Sequence, residues 1–147
     1  MSYEKINSME GREVELKKIA ADNFSAWNQA LLSLDASTVA SLYSEDASFL
    51  PTLNPELKSG QKGAEEYFKH FLEKKPEGEI IEDTVQEIAV DENGNVSSFL
   101  HSGLYDFEVG TADQRQKVAA RFTFLWQKDA AGTWKIKHHH SSLKPVE

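Results

Sequence analysis

The sequence predicts an α+β fold: a cone-shaped, curved antiparallel sheet covered by a long N-terminal helix and two shorter helices. Three observations carry this. Apolar residues recur at helical spacing from Leu16 to Leu34, the period switches to two after Pro76, and the chain closes on a hairpin of aromatic-rich strands. Helices come first and strands follow, which marks α+β and not an alternating parallel α/β architecture.

Element by element, residues 1–10 are polar and are expected to form a disordered tail of a single domain spanning 1–147. Over 12–34, Leu16, Ile19, Ala20, Phe24, Trp27, Ala30, Leu31 and Leu34 form one buried stripe on a long helix. Asp35 is placed to cap a short helix over 36–43, with Ser37 and Thr38 in its first turn. Residues 47–50 read as a short strand stopped by Pro51, and 51–60 as a loop. A third helix over 62–72 carries Ala64, Tyr67, Phe68, Phe71 and Leu72 on one face, with Pro76 just beyond. Strands follow over 80–90 and 96–109, joined by Asp91-Glu92-Asn93-Gly94-Asn95, where Asn-Gly tolerates positive φ. Residues 110–116 turn the chain, and 117–127 and 133–143 are the last two strands. A four-stranded antiparallel meander twists and curls, and helices laid over its concave face leave a pocket at the open end.

Composition narrows the function. With 24 acidic and 16 basic side chains the net charge is -8. Such a surface repels phosphate backbones, and the lysine pairs Lys17-Lys18 and Lys74-Lys75 read as solvated faces, so no nucleic acid partner is expected. The absence of cysteine excludes disulfides, thiolate catalysis and cysteine-ligated metals. No run approaches the roughly 20 apolar residues of a membrane span, and Glu4, Glu10, Glu13 and Glu15 leave no secretory signal near the start. A cytoplasmic protein, not associated with membranes and without a cofactor, is the expectation.

Ser33-Leu34-Asp35 before the short helix, Gly60 before Tyr67-Phe68, Thr123-x-x-Trp126, and Gly132-x-Trp134 followed by His138-x-His140-x-Ser142 carry a family resemblance. Over roughly residues 15–143 the chain resembles the nuclear transport factor 2-like (SnoaL-like) superfamily, whose fold is cystatin-like. More narrowly, it is similar to the association domain of calcium/calmodulin-dependent protein kinase II and its free-standing bacterial relatives. The resemblance implies a homo-oligomer, at least a dimer, built through the sheet, and a pocket between sheet and helices for a small organic ligand. In the kinase hub arginines line that pocket and favour small carboxylates. Here the matching positions hold His101, Phe124 and Ser141, so the arginine cage is missing. These 147 residues include no kinase domain, so the resemblance does not carry kinase activity over.

The candidate ligand-binding residues are His101, Tyr105, Phe124, His139, Ser141, Trp27, Tyr43 and Tyr67; His101 is also the candidate catalytic base. His101 alternates with Phe99, Gly103 and Tyr105 on one strand face, and Gly103 either leaves room for a ligand or kinks the strand. On the last strand, strict alternation puts Trp134, Ile136, His138 and His140 on one face and Lys137, His139 and Ser141 on the other. Hydrophobicity turns the Trp134 face inward; the resemblance turns the His139 face to the pocket and the Trp134 face outward, against a second copy, and this second assignment is adopted. A metal site on the three histidines is not expected, since two at i, i+2 need a third ligand from elsewhere. Arg121, in an apolar strand, calls for a carboxylate partner. Asp46 and Asp106 do not reproduce the aspartate–tyrosine arrangement of ketosteroid isomerase. Two functions fit: an oligomeric binding and assembly module without kinase activity, or a small SnoaL-like enzyme doing isomerase- or hydratase-type acid–base chemistry with His101.

Overall fold

The computed structural model describes residues 9–146. Helix α1 (Met9–Leu32) is followed by α2 (Ala36–Ala40), β1 (Tyr43–Leu50), β2 (Lys58–Ser59), α3 (Gly60–Phe71) and a 3-10 turn (Leu72–Lys74). Four long strands complete the chain: β3 (Glu77–Val90), β4 (Val96–Thr111), β5 (Gln114–Lys128) and β6 (Trp134–Leu143). The α+β class and the order of elements are as expected. Helix α1 starts three residues earlier than its apolar stripe required, so Met9 and Glu10 are helical and not tail; residues 1–8 lie outside the described range. Asp35 caps α2 as anticipated, its Oδ1 accepting the Ser37 N–H at 3.0 Å, although α2 ends at Ala40. The turn expected over 110–116 is tighter, because Gly110–Thr111 and Gln114–Gln116 belong to paired strands.

The sheet differs from the expected meander. It has six strands in the order β2-β1-β6-β5-β4-β3. Strand β1 starts at Tyr43 and lies parallel to β6, with Phe49 opposite His139. The polar stretch Ser44-Glu45-Asp46 hid its first half, because an irregularity between Tyr43 and Ser48 breaks the alternation. Residues 58–59, placed in a loop, form the short edge strand β2.

The sheet is curved and unclosed, and α1 crosses its concave face. Near one end of the helix Arg12 pairs with Glu87 at 2.6 Å; near the other, Asn28 Oδ1 accepts the Gly78 N–H at 2.8 Å. Between these anchors Phe24 and Trp27 pack on Tyr105. Helix α3 covers the rest through Phe68 against Phe49 and Phe71 against Phe107. Gly103 is required by a close approach. A Cβ there would lie 2.1 Å from the Glu82 carbonyl oxygen, where β3 bulges between Ile80 and Glu82. The glycine therefore serves the bend of the sheet and leaves no ligand space.

The face assignment of β6 is corrected. Pairing slips between Leu125–His138 and Trp126–Ile136, making Lys137 the extra residue of a bulge. A bulge inverts alternation, so Ile136, His139 and Ser141 are all buried on the concave face. Trp134 shares that face, packed edge-on against buried Phe99 at 5.0 Å. Neither Trp134 nor Ile136 belongs to the outer surface. The convex face carries Leu100, Leu104 and Leu125, with His138 and His140 beside them, as their cross-strand pairing requires.

Candidate functional site

One rung of the sheet organises the site. Residues paired across β3, β4, β5, β6 and β1 run Val85, His101, Phe124, His139, Phe49. Cross-strand partners share a face, so His139 lies between two phenylalanines. Its ring stacks on Phe124 at 4.1 Å and on Phe49 at 4.8 Å. Trp27 from α1 closes it edge-on at 5.6 Å.

Every polar atom of this aromatic cage is engaged. Trp27 Nε1–H donates to Tyr43 Oη at 3.2 Å. Tyr43 Oη lies 2.8 Å from His139 Nδ1, and Tyr105 Oη lies 3.3 Å from Nε2. Tyr105 donates to Ser141 Oγ at 2.6 Å, and Ser141 Oγ meets Thr52 Oγ1 from the loop after β1. The chain has a direction. An indole N–H only donates, so Tyr43 accepts there; its own buried proton has no acceptor other than Nδ1 among the described hydrogen bonds, and satisfying it assigns the donation to Nδ1. His139 then carries its proton on Nε2 and donates to Tyr105. Burial holds the His139 pKa well below the usual histidine value, with His138 and His140 adding to the effect, so the ring is neutral. Burial also pushes the Tyr43 and Tyr105 phenols well above theirs.

The chain ends at a cavity of about 30 Å³ between sheet, α3 and the loop after β1. Phe49, Phe68, Phe71 and Phe107 make apolar walls, and His139, Tyr105 and Ser141 supply the polar side. Pro51, Thr52 and Leu53 form the rim. The lining holds no acidic side chain, lysine or arginine. Of the expected residues, Trp27, Tyr67, Tyr105, His139 and Ser141 line the cavity. Tyr43 and Phe124 sit behind the wall and hold His139 from outside.

His101 is not brought to the cavity. Phe124 stands between it and His139 on the shared rung. His101 is fully buried, its Nε2 2.8 Å from Asp83 Oδ2 and its ring edge-on to Phe122 at 5.1 Å. Its Nδ1 has no hydrogen-bond partner among the described residues. Burial lowers its pKa, and the Asp83 carboxylate opposes that in part. Arg121 reaches Ser142 at 3.3 Å, and no carboxylate pairs with it among the described residues. Asp46 pairs with Lys137, and Asp106 lies 4.0 Å from Lys117. Sequence reasoning missed Thr52, which had no periodic signal because it lies in a loop; only its encounter with Ser141, 89 residues on, marks it.

The model of the SnoaL-like domain family matches residues 21–147. No curated protein matches the chain. Among solved structures, a Xanthomonas campestris protein provisionally described as a calcium/calmodulin dependent protein kinase II association domain is similar at 35% identity and TM-score 0.77, covering 95% of this chain and 91% of its own. An NTF2-like protein with a cystatin-like fold from Novosphingobium aromaticivorans is 10% identical with TM-score 0.69, covering 97% of this chain and 94% of its own. A Streptomyces avermitilis protein provisionally described as a dehydratase of the NTF2-like family is 14% identical with TM-score 0.71, covering 92% of this chain and 99% of its own. The last two likenesses show the fold alone.

Proposed function

We propose that this chain, which belongs to the SnoaL-like domain family, is a non-catalytic module that binds a small organic molecule and assembles through the convex face of its sheet. One observation carries the binding reading. The cavity's polar side is a hydrogen-bonded chain in which the sole titratable nitrogen base, His139, has both nitrogens engaged and is neutral. A general base needs a free lone pair directed at substrate; here the only acceptor nitrogen faces Tyr43, away from the cavity. Apolar walls with a few fixed polar groups give affinity and orientation. The acid–base reading depends on His101, which faces Asp83, lies beyond Phe124 on the shared rung and does not line the cavity.

Assembly is supported by the convex face. Leu100, Leu104 and Leu125 line its centre, half-buried in the single chain, and apolar residues at the middle of an open sheet face suit a two-fold contact. The similarity to the X. campestris association domain protein supports the same reading. Size-exclusion with light scattering tests it: a dimer or larger species is expected, converted to a folded monomer by Leu104→Glu with Leu125→Glu. A wild-type chain that elutes as a monomer at micromolar concentration would remove the assembly reading.

A further inference from the structure

The direction of the polar chain says what kind of ligand fits. Ser141 Oγ accepts from Tyr105, and among the described hydrogen bonds its own proton has only Thr52 Oγ1 as an acceptor, so satisfying that proton makes the Ser141 hydroxyl the last donor, aimed at the rim. Thr52 therefore occupies the position of a hydrogen-bond acceptor that enters from outside. Around it the walls are aromatic and uncharged. In a protein of net charge -8, an anion here would lose its hydration and meet no cation. At about 30 Å³ the cavity is small, well short of the roughly 150 Å³ that admits a benzene ring. Occupancy then requires the Pro51–Leu53 segment to withdraw, and Thr52 is its only polar tie to β6 among the described hydrogen bonds.

We propose that the cavity takes an uncharged, planar, apolar molecule bearing one carbonyl-type acceptor, an aryl ketone for example, whose oxygen displaces Thr52 Oγ1 from the Ser141 hydroxyl. This rests on the binding reading above and specifies the ligand of that same cavity. It makes Thr52 a competitor of the ligand and Ser141 its anchor, and it sets this site apart from one that selects carboxylates.

The test uses the whole chain and three probes of nearly equal shape. Acetophenone has the acceptor without charge, benzoate has the charge, and ethylbenzene has neither. Binding is followed through the Trp27 indole N–H signal, which reports from the inner end of the chain. Acetophenone should bind about three- to tenfold tighter than ethylbenzene, the range of one neutral hydrogen bond, and benzoate should not bind. Thr52→Val, at a partly exposed rim position, should tighten acetophenone and ethylbenzene by a similar factor, because both must displace Thr52, and should leave the preference for the ketone within twofold of wild type. Ser141→Ala, verified as folded by its melting transition, should abolish the preference for the ketone. Benzoate binding as well as acetophenone, or Thr52→Val weakening the ketone, would overturn the ligand assignment while leaving the binding reading in place. No shift with any probe, in wild type and in Thr52→Val, would count against both.

Discussion

Tyr43→Phe tests whether the buried polar chain holds the site together. The change removes one oxygen and keeps the ring against Phe49 and Phe68. It strands two partners at once: Trp27 Nε1–H at 3.2 Å and His139 Nδ1 at 2.8 Å. Tyr43, Trp27 and His139 are each no more than 1% exposed, so water replaces nothing unless the core opens. An orphaned buried donor or acceptor costs about 1–3 kcal/mol, and the desolvation of the lost hydroxyl is recovered in part. The expected net loss is about 2–4 kcal/mol. Urea unfolding followed by tryptophan fluorescence would read it as a lower midpoint at unchanged slope. Tyr67→Phe is the control, since no hydrogen bond involves that hydroxyl among the described residues, and it should cost less than about 0.5 kcal/mol. If Tyr43→Phe were as mild as the control, the chain would contribute no net stability and the direction assigned to it would lose its basis.

Other predictions follow from the same geometry. His139 is neutral when folded and titrates near the ordinary histidine value when unfolded, so the unfolded state takes up the proton first as pH falls. Stability is therefore full above about pH 6.5 and declines below it by about 1.4 kcal/mol per pH unit from this residue, until its depressed folded pKa is reached. A melting temperature that rises between pH 7 and pH 5 would contradict the burial argument. Nitrogen-15 spectra of the imidazoles should show His139 protonated on Nε2 and bare on Nδ1 at neutral pH; the opposite tautomer would reverse the chain. His101→Ala should cost about 2–4 kcal/mol by opening a void beside Phe122, while acetophenone affinity stays within twofold. Lost binding in a folded His101 variant would bring that residue back to the site. Gly103→Ala should cost at least about 3 kcal/mol, because its methyl would overlap the Glu82 backbone and not a movable side chain; a loss under about 1 kcal/mol would mean that β3 yields easily there.

Much of this molecule was legible as local pattern. The α1 stripe, the Asp35 cap, the Asn-Gly hairpin and the alternation of Phe99, His101 and Tyr105 all depend on residues within a few positions of one another, so periodicity and turn chemistry report them directly. Alternation put His139 and Ser141 on one face, and the family resemblance turned that face inward, where both are buried. Strict alternation misplaced Trp134 and Ile136, which their hydrophobicity alone would have turned inward, since one inserted residue at Lys137 inverts the parity and lets both sets of residues share the inner face. Tertiary structure alone decided that β1 runs parallel to β6. That pairing joins residues 96 apart, Tyr43 and His139, sets Phe49 against His139, and hangs Thr52 over Ser141. It also placed His101 and His139 on the same face yet apart, with the Phe124 ring between them. Long-range register is chosen by which aromatic faces close the core together, a property of the packed assembly of side chains that no short window of sequence contains.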